Sequence, residues 1–268
     1  MIDSFRQSRR WSHDDARFRV KPIRVRHKIV GDTLLIDLGA AHRVLSSAPR
    51  GGGFTIARSI LNHQVPANPA GRGAVIQAAT IKWSDPSRYL GALGKRLKAV
   101  PPTVGLMTAV PMKRSVIAQV KQKHLWVGCY CTVGVTNAVK AGEPPARAGA
   151  LKAASRQGTI NIILVTNAKL SGAAMVGAIQ VATESKTAVL RDHRVRSATG
   201  RAGATGTGTD AVVVASRQSG LIKLSYSGTH TVIGSIIGRL VARAVRIGLE
   251  RSVRWHKQPL RRNSRHQT

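Results

Sequence analysis

Two short apolar runs stand out in the alternation of hydrophobic and polar positions along the chain. Ile160–Val165 and Ala211–Ala215 are rich in β-branched residues, free of charge and bounded by turn-forming residues. That is the pattern of strands buried on both faces. Each carries a polar cluster at one end: Thr166 and Asn167 follow the first, and Thr205 to Asp210 precede the second. A buried sheet with hydroxyls, amides and a carboxylate at its strand ends is a usual place for a pocket. Between the two runs, Met175, Ala178, Ile179, Ala182 and Val189 share one helical face from Gly172 to about Leu190, and Ser171 is placed to cap it.

The same periodicities divide the rest of the chain. Val20–Val30 mixes apolar and cationic positions, Gly31-Asp32 turns, and Thr33–Leu38 returns, which predicts a hairpin with its cationic side in water. Ala41–Leu45 is a strand. Ser46, Ser47 and Gly51–Gly53 follow it as a loop whose glycines let a backbone or ligand approach closely. This loop lacks the Gly-Lys-Ser/Thr ending of a P-loop. Asp85-Pro86 starts a helix over Ser87–Ala99, with Leu90, Leu93 and Leu97 at helical spacing. Thr103–Val110 reads as a strand, Met112–Val120 as a helix and Leu125–Val135 as a strand. After a basic loop at Ala146–Gln157 and the central stretch, Leu221–Tyr226 is a strand. A last helix carries Ile233, Ile236, Ile237, Leu240, Val241, Ala244, Val245 and Leu249 on one side. The mixture of strands and helices predicts an α+β (mixed α/β) fold, sheet layers covered by helices in one main domain over residues 20–251. Residues 1–19 form a basic arm, and residues 252–268 a basic tail without an apolar stripe, expected to be disordered.

Composition changes this picture in one respect. The chain has 268 residues, 43 Lys plus Arg and only 11 Asp plus Glu. Such an excess suggests an anionic partner, nucleic acid above all. The basic residues crowd the two ends, however, and are sparse from Gly128 to Val189. Aromatic residues make up 4%, few platforms for base stacking. Nucleic-acid binding is therefore the alternative reading, as is a protein with the same pocket that binds its ligand without turnover. The two cysteines, Cys129 and Cys131, face the same side of a strand and are too few for a metal site, so they read as packing residues in a reducing compartment. No secretory h-region and no membrane-length apolar run is present in the sequence, which predicts a soluble, cytoplasmic protein.

Seven motifs in order resemble the adenosylcobinamide amidohydrolase (CbiZ) family of corrinoid salvage. They are LSSAPRGGG at Leu45–Gly53, VGLMTAV at Val104–Val110, VGVTNAVKAGEPP at Val133–Pro145, GTINIILVTNAKLS at Gly158–Ser171, ATESKTAVL at Ala182–Leu190, ATGTGTDAVVVA at Ala204–Ala215 and YSGTHTVIGSIIG at Tyr226–Gly238. The resemblance covers roughly Leu45 to Val245. It implies a hydrolase of a linear amide: water cleaves the aminopropanol amide of adenosylcobinamide, giving adenosylcobyric acid for coenzyme B12 assembly. The substrate carries its own cobalt, so no cofactor is implied, and no H-E-x-x-H or comparable metal cluster is present in the sequence. Two features depart from the family: the net charge is unusually high, and Thr229 stands where a basic residue is common in the YSGTH motif.

Amide hydrolysis needs an activated nucleophile, a stabilised oxyanion and a proton for the departing amine. Within the motifs, Asp210 and Glu184 are the candidate carboxylate bases or orienting groups, and His230 is a candidate that titrates near neutrality. Asn137, Asn161 and Asn167 offer amide donors to an oxyanion or to the substrate's own amides. Ser46, Ser47, Thr159 and Thr209 are possible nucleophiles, though none sits in a G-x-S-x-G elbow. Gly52, Gly53 and Thr207 complete the substrate-binding set, the glycine runs letting backbone lie against the flat corrin. These residues are expected to share one cleft, with Asn167, Asp210 and His230 all on it.

Overall fold

The computed structural model describes residues 25–65, 85–144 and 158–256. The N-terminal arm, the loop 146–157 and the tail beyond residue 256 lie outside the described residues. Within them the fold is mixed α/β: one large mixed sheet, two small two-stranded ribbons and three helices longer than one turn, in a single main domain.

The large sheet is built around β8, Ile160–Thr166, every residue of which is buried. An uninterrupted apolar run forms such a strand because both of its faces are covered. β8 lies between β6 (Leu125–Val133), antiparallel, and β11 (Ala211–Arg217), parallel. β5 (Val116–Gln122) pairs outside β6. On the other side β11 is followed by β2 (Thr33–Ser46), β3 (Gly53–Gln64) and β4 (Thr103–Thr108). β2 is bent: the register shifts between Asp37 and His42, Gly39 takes φ 69°, and the Asp37 carboxylate accepts its N–H at 2.8 Å. A positive φ suits glycine, which has no Cβ to clash. The bend lets the first half of β2 pair with β1 (Arg26–Val30) and the second half with β11.

Helix α1 (Pro86–Arg96) starts where Asp85 Oδ1 accepts the Arg88 N–H at 2.8 Å; its Leu90 packs on Gly105 of β4, and its Gly94 faces Leu61 of β3 and Thr103 of β4. Helix α2 (Gly172–Asp192) is capped by Ser171, whose hydroxyl accepts the Ala174 N–H at 3.0 Å. It carries the chain from β8 back to its parallel neighbour β11. Helix α3 (Val232–His256) packs beside α2 over β5 and β6. One core cluster lies between these two helices and the sheet; it holds Ile160, Ile162, Leu164, Val212 and Val214 together with Met175, Ile236 and Val241. The second lies on the opposite face, where Ile163, Val165, Ala211 and Val213 meet Leu34, Ile36, Ile60, Val104 and Leu106. The β2–β3–β4 arm is thus folded over the inner face of the β6–β8 arm. A buried amide network ties the arms: Asn62 Nδ2 donates to Thr132 Oγ1 at 3.1 Å, and Asn161 Nδ2 donates to Asn62 Oδ1 at 2.9 Å and to the Met107 carbonyl at 3.0 Å.

Three expectations are corrected and one unassigned stretch is filled. Met112–Val120 is not a helix: a single 3-10 turn at Met112–Arg114 leads into β5, which forms a hairpin with β6 through Lys123 at φ 53°. Its Val116, Ile117 and Val120 gain more from pleated pairing than from helical packing. Gly53–Gln64, to which the pattern of apolar positions assigns no element, is the long strand β3. The Leu221–Tyr226 strand shrinks to β12 (Lys223–Leu224), paired with β9 (Lys169–Leu170). Residues 252–256, expected to belong to the tail, are the last residues of α3.

Candidate active site

Alternation along β8 and β11 separates two groups of residues at the ends where both strands begin. Asp210 has the parity of Val212 and points to the helix side. Thr159, next to the start of β8, has the parity of Asn161 and points to the inner face between the arms, and Thr209 of the turn before β11 meets its hydroxyl. The loop after β2 reaches the same end, because Ser46 pairs with Val213, and Ser47 and Val212 are joined backbone to backbone at 3.1 Å.

On the helix side, Asp210 is the hub. Its Oδ1 accepts the Ile160 N–H at 2.9 Å and the Thr207 hydroxyl, and its Oδ2 accepts the Thr207 N–H at 3.0 Å. Lys186 of α2 reaches Oδ2 at 2.6 Å, with side-chain exposures of 8% and 12% for the two partners. This is the ion pair among the described residues. Lys186 did not stand out in the sequence, because a lysine inside an amphipathic helix reads as solvated. Its signal was its place among buried positions of α2. Thr207 also forms β10 (Gly206–Thr207), paired with β7 (Ala138–Val139). Cys131 lies within electrostatic reach of the pair, and Cys129 is two residues further along β6. Burial pushes the Cys129 thiol up to about 12 and Cys131 well above its ordinary value, with Cys129 and the Asp210 carboxylate adding to the latter.

On the inner face, the Thr159 hydroxyl meets the Thr209 hydroxyl at 2.8 Å, and Thr209 also donates to the Gly158 carbonyl at 3.4 Å. Gly158 is fixed from the other direction, its N–H donating to Asn137 Oδ1 at 2.9 Å. A Cβ on Gly158 would stand 2.5 Å from the Gly134 carbonyl oxygen and 2.7 Å from Asn137 Oδ1, so no larger residue fits without displacement. Among the described residues Asn137 Nδ2 has no hydrogen-bond partner. Asn161 Oδ1 is likewise a buried acceptor without one.

The hydrogen bonds of the remaining candidates decide how each is used. Ser46 Oγ accepts the Ala48 N–H at 3.0 Å and donates to the Gly51 carbonyl at 3.4 Å, which shapes its own loop. Ser47 Oγ accepts the Val212 N–H at 3.1 Å. Gly52 is closed in by the Ala48 carbonyl, 2.7 Å from where a Cβ would be, whereas Gly53 at φ 75° has open space around it. Ser46, Ser47, Gly52, Gly53, Asn137, Thr159, Asn161, Thr207, Thr209 and Asp210 therefore gather at one end of the sheet.

The structure does not bring the other three there. Asn167 lies past the far end of β8, roughly 23 Å away along the strand, where Oδ1 accepts the Trp126 N–H at 2.8 Å and Nδ2 donates to the His124 carbonyl at 2.7 Å. His230 is exposed just before α3. That segment is anchored by Ser227 to the start of α2: its hydroxyl donates to the Ala174 carbonyl and packs at Gly177. Lys186 and Asp210 sit about 14 Å further along that helix. Glu184 is exposed and faces an open groove of about 600 Å³ with Gln180, Thr183, Thr187 and Arg191. Two residues from Lys186 on a helix, it points away from Asp210. The single cleft expected for Asn167, Asp210 and His230 is not formed. Among the described residues no group of His, Cys, Asp and Glu could hold a metal ion, and no helix is long and apolar enough to cross a membrane.

A family model described as adenosylcobinamide amidohydrolase (CbiZ) matches residues 19–257. An adenosylcobinamide amidohydrolase of Methanosarcina mazei is 30% identical over 207 residues, covering 74% of this chain and 86% of the relative. An uncharacterized protein of Methanocaldococcus jannaschii is 28% identical over 228 residues, 80% of this chain and 84% of its own. Among solved structures, a Pyrococcus horikoshii protein aligns with TM-score 0.38 and 14% identity over 82% of this chain and 76% of its own. A Burkholderia β-aminopeptidase aligns with TM-score 0.37 and 10% identity over 85% and 82%.

Proposed function

We propose that this chain, which belongs to the adenosylcobinamide amidohydrolase family, hydrolyses the amide between aminopropanol and the corrin propionate, releasing adenosylcobyric acid and aminopropanol. Family membership supports amide hydrolysis in corrinoid salvage. The Thr159–Thr209 hydroxyl pair at the head of β8 and β11 is the observation that supports this end of the sheet as the place of the reaction.

Hydrogen-bond accounting favours Thr159 as the nucleophile. The hydroxyls of Ser46 and Ser47 are engaged with backbone, and that of Thr207 is spent on Asp210. Thr209 donates to the Gly158 carbonyl, so the proton between the two threonines belongs to Thr159, with Thr209 Oγ as its acceptor. The lone pairs of Thr159 Oγ are then left to attack an amide carbon on the inner face. Asn137 Nδ2, unpaired among the described residues, is the donor for the oxyanion that forms. Asp210 receives four donors and has no lone pair directed at a substrate. Together with Lys186 it acts as a positioning residue that locks the Ile160 N–H and the 207–210 turn beside Thr159.

Incubation of the purified protein with adenosylcobinamide, followed by liquid chromatography and mass spectrometry, tests the reading. Adenosylcobyric acid and aminopropanol are expected in equal amounts, and Thr159→Ala, with an unchanged unfolding midpoint, is expected to abolish both. Corrinoid bound without release of aminopropanol would instead identify a carrier.

A further inference from the structure

We propose that the chain cuts its own Gly158–Thr159 peptide bond, and that the α-amine released on Thr159 is the base for its hydroxyl. The starting point is what touches that hydroxyl. Among the described residues its hydrogen bond is to Thr209, and no titratable side chain reaches it. A threonine nucleophile without a side-chain base works when its own α-amine takes the proton. In the intact chain that nitrogen is an amide and not basic.

The geometry around this one peptide favours its cleavage. Thr209 Oγ contacts both groups that would react, the Thr159 hydroxyl at 2.8 Å and the Gly158 carbonyl oxygen at 3.4 Å. It bridges the attacking oxygen and the oxygen on which charge would develop. Both flanks are pinned. Upstream, the Gly158 N–H is held by Asn137, and the space for a side chain is filled by the Gly134 carbonyl. Downstream, the Thr159 carbonyl accepts the Gly134 N–H at 3.0 Å and the Ile160 N–H is held by Asp210. Fixing both sides of a reacting bond turns thermal encounters into a prepared geometry.

The step balances with water alone. Thr159 Oγ attacks the Gly158 carbonyl carbon. The C–N bond breaks, and the departing nitrogen takes up the hydroxyl proton, which leaves an ester between Gly158 and Thr159. Water then attacks the ester, forming the Gly158 carboxylate and restoring the Thr159 hydroxyl. The fragments stay together, because β8 and β11 of the second lie between β6 and β2 of the first in one hydrogen-bonded sheet. In the cut protein the free amine accepts the hydroxyl proton during attack on the corrinoid amide and returns it to the leaving aminopropanol nitrogen.

The test needs no corrinoid, so it is independent of the substrate assigned above. The full-length protein, purified and then denatured, is weighed by mass spectrometry. Two species are expected, residues 1–158 and 159–268, the second with threonine at its N-terminus. Thr159→Ala is expected to give one chain of 28.6 kDa, Thr159→Ser to retain cutting, and Thr209→Val to slow it on the order of 10²-fold. Cutting of freshly translated protein is expected to follow first-order kinetics independent of concentration, as an intramolecular step requires. A wild-type chain that stays whole while releasing aminopropanol overturns this proposal and leaves the hydrolase reading standing. A cut at another bond, or Thr159→Ala cut at this one, overturns it as well.

Discussion

Replacing Asp210 by alanine probes the hub of the site. The substitution takes the acceptor from the Ile160 N–H, the Thr207 N–H and the Thr207 hydroxyl, and it strands the Lys186 ammonium, whose side chain is 8% exposed. Losing one partner of a buried pair costs about 3–5 kcal/mol, because the remaining charge has neither water nor a counter-ion. For a domain of this size that corresponds to a fall of roughly 6–20 °C in the unfolding midpoint. Removing the charge as well, in Asp210→Ala with Lys186→Met, is expected to recover about 2 kcal/mol, since the methionine stem can pack where the ammonium could not. The measurement is thermal unfolding in the Thr159→Ala background, where the chain is a single piece. A cost below about 1 kcal/mol for Asp210→Ala, or a double variant no more stable than the single one, would refute the view of Asp210 as the buried organiser of this end. It would return the carboxylate to the list of free catalytic bases.

Other consequences follow from the same structure. Burial lowers the pKa values of His42 and His63 below 6.5, and the ring of His63 is held neutral between the Thr33 and Tyr89 hydroxyls at 2.8 and 2.9 Å. A lowered folded-state pKa means that the unfolded chain binds more protons, so the stability from these rings is complete above pH 6.5 and is lost as pH falls toward their folded values. The unfolding midpoint is expected to drop between pH 7 and pH 5, and less steeply in His63→Gln; an equal slope in that variant would count against the assignment. Cys129 and Cys131, fully buried with raised pKa values, are expected to ignore a thiol reagent in the native state and to react with two equivalents after denaturation. Glu184→Ala and His230→Ala, exposed and away from Thr159, are expected to hold kcat within about twofold. A loss of 10²-fold or more in either would move the chemistry toward the α2 groove or the start of α3. Gly158→Ala, with its Cβ 2.5 Å from the Gly134 carbonyl, is expected to displace the head of β8 and to lower turnover well beyond any loss of stability.

How much of this was legible in the sequence depends on how local each signal is. The strands β8 and β11 and the helix α2 between them could be read, because uninterrupted apolar runs and a capped amphipathic stretch leave few alternatives. β3 was hidden: its inner positions are apolar, but Asn62 and His63 interrupt the pattern, and they are there to bind Thr132, Asn161, Thr33 and Tyr89, partners that exist only once the sheet has folded over. β5 departs from the helix its own pattern predicts for a related reason. It is an edge strand, and its pairing with β6 is set by the turn at Lys123 and not by its own pattern. The site divides in the same way. Residues at the heads of β8, β11 and the loop after β2 were found together because polar clusters at the ends of buried strands meet when those strands are neighbours. Asn167 and His230 carry the same kind of polar signature, but one follows β8 and the other precedes α3, so they lie at the opposite end of the layer from Asp210. Strand direction, which composition does not encode, decides which end a polar cluster occupies. Lys186 is the converse case. Nothing local distinguishes it from a solvated lysine, yet α2 runs back along β8, and this places its ammonium at the head of β11. The carboxylate waiting there is the one acid in the 204–215 motif, and the pairing of the two turns a surface-type charge into the buried support of Thr159.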